Sequence, residues 1–276
     1  MSLLAAHEVS RTYRKSGFLG TGTSKTVLER ITVEIAEGET VALLGRSGCG
    51  KSTLARLLVG LELPDEGETL FEGRPLRHFR KADWRALRRA VQLVFQDPVG
   101  AVDPRATVRD ILSEPLRNLC GLPQDACDMQ VRSLLEAVEL KADDADKLPQ
   151  QMSGGQLQRV CIARALAPQP RLIILDEAVS NLDLHLQIQM LDLFTRLQKE
   201  NGVSYLFVTH DLRLVQSFCS RVIVMDDGHI VEECPVTTPF ALTSPEGRAL
   251  QGAVLPAMPV AMPVQPGVAP GPVSAA

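Results

Sequence analysis

This 276-residue chain has no Cys-x-x-Cys pair, no excess of positive charge and no long apolar stretch free of proline. Each absence removes a class of function. Cys49, Cys120, Cys127, Cys161, Cys219 and Cys234 follow no regular spacing, which predicts free thiols in a reducing cytoplasm. The five histidines (His7, His78, His185, His210, His229) do not pair at ligand spacing with each other or with a cysteine, so no resident metal centre is expected. A net charge of −4 gives no basic footprint, so nucleic acid is not an expected partner. From Ala249 to Ala276 there is no charge, but six prolines interrupt the stretch and exclude a spanning helix. Residues 253–276 read as a disordered Pro/Ala/Val-rich tail that is dispensable for catalysis. Met1–Ala6 is too short an apolar start to predict export.

What the chain does have begins at Gly45. The run Gly45-Arg46-Ser47-Gly48-Cys49-Gly50-Lys51-Ser52-Thr53 fits the phosphate-binding pattern G-x-x-x-x-G-K-[ST]. Its glycines let successive N–H groups turn inward toward polyphosphate oxygens, Lys51 reaches the β/γ-phosphates, and the Ser52 hydroxyl suits Mg²⁺. The context agrees. Val41–Leu44 is a short apolar run suited to a buried parallel strand, and Leu54, Leu57, Leu58 and Leu61 then recur at helical spacing. Cys49 has two readings. A thiol among inward N–H groups at a helix start would have a lowered pKa, so that alkylation blocks turnover and ATP protects; alternatively it is a small filler.

Residues 5–40 carry β-like runs, with a polar loop over 16–25 and a turn at 63–67. Asp83–Arg89 predicts a helix before a strand over Val91–Phe95, and 107–140 read as mostly helical. Strands follow at 172–175, 205–208 and 222–225, with helices before and between the first two, which implies parallel pairing. Beyond Pro235 the signals fade.

Three further constellations stand out. Leu172–Leu175 ends in Asp176 and Glu177: in a phosphate-loop enzyme the strand beside the loop supplies an Asp for Mg²⁺, and a second carboxylate can accept a proton from the attacking water. The bland alternative is two charges capping a strand. Ser153-Gly154-Gly155-Gln156 opens a helix with N–H groups free for a second anion, where one nucleotide already has its loop. Gln96 and His210 each follow an apolar strand.

Ser153–Gln156 resembles the signature motif of the ATP-binding cassette ATPases, and the rest of that family's set is present in order. Tyr13 is placed like the residue that stacks on adenine, Gln96 like the Q-loop glutamine, Ser180 to Asp183 like the D-loop, and His210 like the switch histidine. The resemblance spans about residues 5–252. It implies an α/β P-loop NTPase core with an N-terminal antiparallel β subdomain and a helical subdomain inserted at about 97–155. It also implies ATP and Mg²⁺, the latter held through Ser52, Gln96 and Asp176, and a head-to-tail dimer of cassettes with ATP between one loop and the other subunit's Ser153–Gln156. Glu177, His210 and Lys51 would be catalytic.

The motif set occurs once and no membrane helix is fused to it, which resembles an importer subunit rather than an exporter or a soluble twin cassette. Val94–Pro98 and Asp103–Val108 are similar to the peptide/nickel importer group, and Glu177-Ala178-Val179-Ser180-Asn181-Leu182-Asp183 to its nickel branch; a dipeptide importer is the alternative. The expected partners are a second, different cassette, two integral membrane permeases and a separate periplasmic substrate-binding protein. The expected place is the cytoplasmic face of the inner membrane.

Overall fold

The computed structural model describes residues 2–15, 23–180, 182–237 and 239–253, so residues 254–276 of the expected tail and Asn181 lie outside it. Strands β1 (Ser2–Lys15) and β2 (Thr23–Ala36) lead into β3 (Thr40–Gly45) and helix α1 (Lys51–Leu58). Next come β4 (Glu66–Phe71), β5 (Arg74–Pro75), α2 (Lys81–Ala90) and β6 (Val91–Val94). Helices α3 (Val108–Asn118), α4 (Gln124–Ala137) and α5 (Gly154–Leu166) precede β7 (Leu172–Asp176). The chain continues through α6 (Leu184–Asn201), β8 (Ser204–Val208), α7 (Leu212–Phe218), β9 (Arg221–Asp226), β10 (His229–Pro235) and α8 (Pro245–Ala253).

Two sheets result. The first is antiparallel in the order β2-β1-β4-β5; the second runs β10-β9-β3-β8-β7-β6 and is parallel except for β10 at its edge. Burial of the second sheet on both faces explains why its strands read as unbroken apolar runs. Val41 and Leu43 face one core with α1 and the first sheet, while Ala42 and Leu44 face the other with α3–α7. The same alternation holds in β8, where Leu206 and Val208 point one way and Tyr205 and Phe207 the other. Tyr205, Phe194 and Phe218 meet at ring distances of 5.2–6.1 Å in the second core, while Phe71, Phe79 and Trp84 pack edge-on at the first.

The structure corrects several expectations. Helix α1 stops before Leu61, which is 60% exposed. Gly60 adopts φ +70°, its N–H donates to the Leu57 carbonyl and that of Leu61 to the Arg56 carbonyl: a left-handed closure that overrides the leucine spacing. Glu66 and Gly67, expected in a turn, already belong to β4. Strand β8 lies between β3 and β7, so the strand carrying Asp176 is one place removed from the phosphate loop rather than beside it. After Pro235, where the sequence signals fade, Glu232 and Gln251 tie down a segment that ends in α8. Among the described residues no helix is long and apolar enough to cross a membrane.

Candidate nucleotide site

All the parallel strands end at one edge, which brings the segments after β3, β6, β7 and β8 together. The chain leaves β3 at Gly45 and enters α1 at Lys51, and the two fixed glycines have a steric cause. A Cβ on Gly45 would lie 2.4 Å from the Met225 carbonyl oxygen; on Gly50, at φ +110°, it would lie 2.7 Å from Leu28 Cδ2 and 2.8 Å from the Val27 oxygen. The Lys51 ammonium is buried and donates to the carbonyls of Gly45 (2.8 Å) and Arg46 (2.9 Å). The first turn of α1 holds no acidic residue, so its N–H groups and positive dipole end suit an anion.

Ser52 Oγ donates to Asp176 Oδ1 at 3.1 Å, at the end of β7. Burial raises the Asp176 pKa, opposed by the Ser52 hydrogen bond and reinforced by the neighbouring Glu177 charge. A buried carboxylate beside a hydroxyl is a hard-oxygen pair of the kind Mg²⁺ takes, with its remaining shell from phosphate and water. The residues therefore fit that ion. Among the described residues no group of three or more His, Cys, Asp or Glu side chains forms a metal cluster.

Glu177 sits in the left-handed region at φ +50°, a strained conformation for a non-glycine residue. Its N–H donates to the Val208 carbonyl (3.0 Å), and its own carbonyl accepts from both the N–H and the hydroxyl of Ser180. This backbone clamp turns the carboxylate toward Gln96, whose Nε2 donates to Glu177 Oε2 at 3.0 Å; His210 Nδ1 stands 3.8 Å from the same oxygen. A cavity of about 510 Å³ unites Gly45, Arg46, Ser47, Gly48, Gly50, Lys51, Ser52 and Thr53 with Gln96, Glu177 and His210. A strained carboxylate held by an amide beside a phosphate cradle can orient a water for attack on a phosphoryl group.

The chain belongs to the ABC transporter family. The family model described as "ABC transporter" matches residues 28–180. Nickel import ATP-binding protein NikE of Rhodospirillum rubrum is 62% identical over 259 residues, 94% of each chain; the protein of the same name from Brucella suis is 55% identical over 94% of this chain and 98% of its own. Among solved structures, the cassette MJ0796 in a dimeric post-hydrolysis state bound to ADP and Pi is 30% identical, with a TM-score of 0.77 over 85% of this chain and 99% of its own. Clostridium perfringens cbiO1, part of the transporter complex cbiONQ, is 28% identical with a TM-score of 0.69, over 86% and 90%. This cassette is thus an ATP-binding, ATP-hydrolysing protein.

Other expected residues of the cassette lie elsewhere. Ser153 caps α5 through a reciprocal pair, its Oγ accepting from Gln156 N (3.2 Å) and Gln156 Oε1 from Ser153 N (2.9 Å). Gly154 is exposed with nothing within 4 Å of an added Cβ, and Gly155 packs near Leu182; none of the four lines the phosphate cavity. Asp183 caps α6 by accepting from Leu186 N at 3.0 Å. Tyr13 donates its hydroxyl to Glu62 at 2.7 Å, the Arg11 guanidinium stands 5.0 Å from its ring centroid, and it lines a separate cavity.

The lowered pKa expected as one reading of Cys49 is corrected. The thiol is 5% exposed, and burial pushes its pKa up, outweighing the lowering by Lys51. Val27 and Leu250, on β2 and α8, also line the phosphate cavity. No signal in the sequence near either residue marks it, since both reach the site only through packing.

Proposed function

We propose that this cassette is the ATPase subunit of an importer that moves nickel(II) through separate permeases, working from the cytoplasmic face of the membrane. The single observation carrying the cargo is the 62% identity, over 94% of both chains, with a nickel import ATP-binding protein. In this reading Gly45 to Thr53 cradle the ATP phosphates and Lys51 shifts from its loop carbonyls to the γ-phosphate. Ser52, Asp176 and Gln96 would hold Mg²⁺, which would supply charge neutralisation to the phosphates. Glu177, oriented by Gln96, takes the proton of the attacking water, and His210 contacts the γ-phosphate. Tyr13 meets adenine once its ring is released from Arg11.

A second cassette supplies its own Ser153–Gln156 to complete the site, with Ser180 and Asp183 at the shared face. That none of this chain's Ser153–Gln156 lines its own cavity supports that arrangement. Two permeases and a separate periplasmic binding protein complete the assembly and carry the selection of cargo.

The test is deletion of the gene followed by radioactive nickel uptake and dipeptide-dependent growth. Uptake should fall to background and return with the wild-type gene but not with Glu177→Gln. Loss of dipeptide growth with nickel uptake intact would reassign the cargo to peptides.

A further inference from the structure

Three side chains of α5 reach three backbone carbonyls of the segment that carries Gln96. Gln158 Nε2 donates to the Phe95 oxygen at 3.2 Å, the Cys161 thiol faces the Pro98 oxygen at 3.9 Å, and Arg164 Nη1 donates to the Ala101 oxygen at 2.6 Å. Each pair is 63 residues apart, so the two stretches run in the same direction in one register. The turn closed by Ala101 N donating to the Pro98 carbonyl shortens the 98–101 half of the segment.

The rungs are dry. Gln158 is fully buried and Cys161 is 1% exposed, its thiol kept neutral by burial, which pushes its pKa up to about 11. Among the described residues, Gln158 Oε1 has no hydrogen-bond partner. Turning the amide over would set that oxygen against the Phe95 carbonyl, two acceptors face to face, so only the donating orientation is tolerated. A buried amide kept half-unsatisfied is an expensive way to fill space, since an apolar side chain of similar size would avoid the cost. The bond to Phe95 is what the glutamine adds.

We infer that Gln158, aided by Cys161 and Arg164, is a positioning strut that fixes Ser153–Gln156, at the start of α5, to Gln96. Nucleotide on this chain's own phosphate loop then sets the position of the surface offered to the other subunit's nucleotide. The inference rests on the nucleotide reading of Gln96 above. Gln158 touches no nucleotide itself: its role is transmission across one and a half helical turns.

The experiment is hydrogen exchange on the full chain with and without MgATP, at a concentration where it sediments as a monomer. No second subunit then contacts Ser153–Gln156, so any response there has travelled through the chain. In wild type, peptides covering 95–101 and 153–158 should gain protection together. Gln158→Leu should leave the ATP Kd within twofold and the response of 95–101 intact, while the response of 153–158 falls at least threefold. Arg164→Met, at a partly exposed position where folding is not at risk, should weaken it less, and Arg164→Lys, which keeps a donor, should restore it. In steady state Gln158→Leu should lower kcat about tenfold with KM unchanged. A wild-type response confined to 95–101, or coupled responses that survive Gln158→Leu, would overturn the strut. Absence of any response at 95–101 in wild type would overturn both the strut and the nucleotide contact of Gln96.

Discussion

Replacing Glu232 with glutamine should loosen the C-terminal helix from the nucleotide cavity. The Glu232 carboxylate on β10 accepts four hydrogen bonds: Oε1 from the N–H and hydroxyl of Thr243, both at 2.7 Å, and Oε2 from those of Ser244 at 3.0 and 2.6 Å. Helix α8 starts at the next residue, Pro245, and carries Leu250 to the cavity wall. Desolvation acts to raise the Glu232 pKa, but the bonds from Ser244 and Thr243 prevail and hold it at about 2 against an ordinary 4.5. Because the folded value is depressed, the stabilisation is present above pH 4.5 and is lost as pH falls toward 2. The full shift corresponds to about 3.4 kcal/mol, which solvent screening of this partly exposed group reduces to about 1–2 kcal/mol. About two-fifths of the linkage term is lost by pH 3.5.

An amide presents one acceptor and one donor, so Glu232→Gln leaves either the Thr243 pair or the Ser244 pair facing an N–H. Exchange of amides in 240–253 should therefore accelerate about 5- to 30-fold at pH 7, the factor that 1–2 kcal/mol carries. The difference from wild type should narrow when opening free energies are compared at pH 3.5, and ATP should bind several-fold more weakly as Leu250 leaves the wall. A variant whose segment 240–253 exchanges as wild type at pH 7, or whose deficit is the same at pH 3.5, would refute the reasoning.

Asp176→Asn should raise the melting temperature while abolishing Mg²⁺-dependent turnover, a split readable by calorimetry and phosphate release. The Asp176 pKa is raised by burial, so this group favours the fold below its ordinary value of 3.8 and that contribution disappears as pH rises through the folded value; the asparagine should remove this dependence. Gly50→Ala should cost about 1–3 kcal/mol in urea unfolding and weaken ATP binding, because its Cβ meets the Val27 carbonyl and φ is +110°. Glu177→Gln should retain ATP binding and lose about 10²–10⁴-fold in kcat, with near-normal turnover removing Glu177 as the base. Iodoacetamide should modify Cys49 slowly with or without ATP, since the thiol is buried and protonated; rapid, ATP-protected labelling would contradict its surroundings.

Most helices and strands of the core were legible because their periods are local, whereas α7, between β8 and β9, was not read. Val41–Leu44, Leu172–Leu175 and Tyr205–Val208 are apolar on both sides, as strands covered on both faces must be. The helix start at Ser153 was legible too, since serine is a strong capping residue and its hydroxyl accepts from Gln156 N within one turn. Leu61 misled because its spacing fits a helix that Gly60 ends. Strand β10 and helix α8 were missed because neither has a strong period: β10 is an edge strand, and α8 is positioned by Glu232 and Gln251 rather than by its own pattern.

The sequence by itself determined the chemistry of the phosphate loop: Gly45 to Thr53 is contiguous, and its backbone geometry depends on residues a few positions apart. The identity of the two carboxylates that end and follow β7, Asp176 and Glu177, was equally local. Only the tertiary structure decided what surrounds them. The insertion of β8 between β3 and β7, the burial that raises the Cys49 pKa, the pairing of Tyr13 with Glu62 and the wall formed by Val27 and Leu250 all join segments distant in sequence. The same holds for the rungs from α5 to residues 95–101. A side chain's desolvation and partners are fixed by strand order and helix packing, which no window of neighbouring residues encodes.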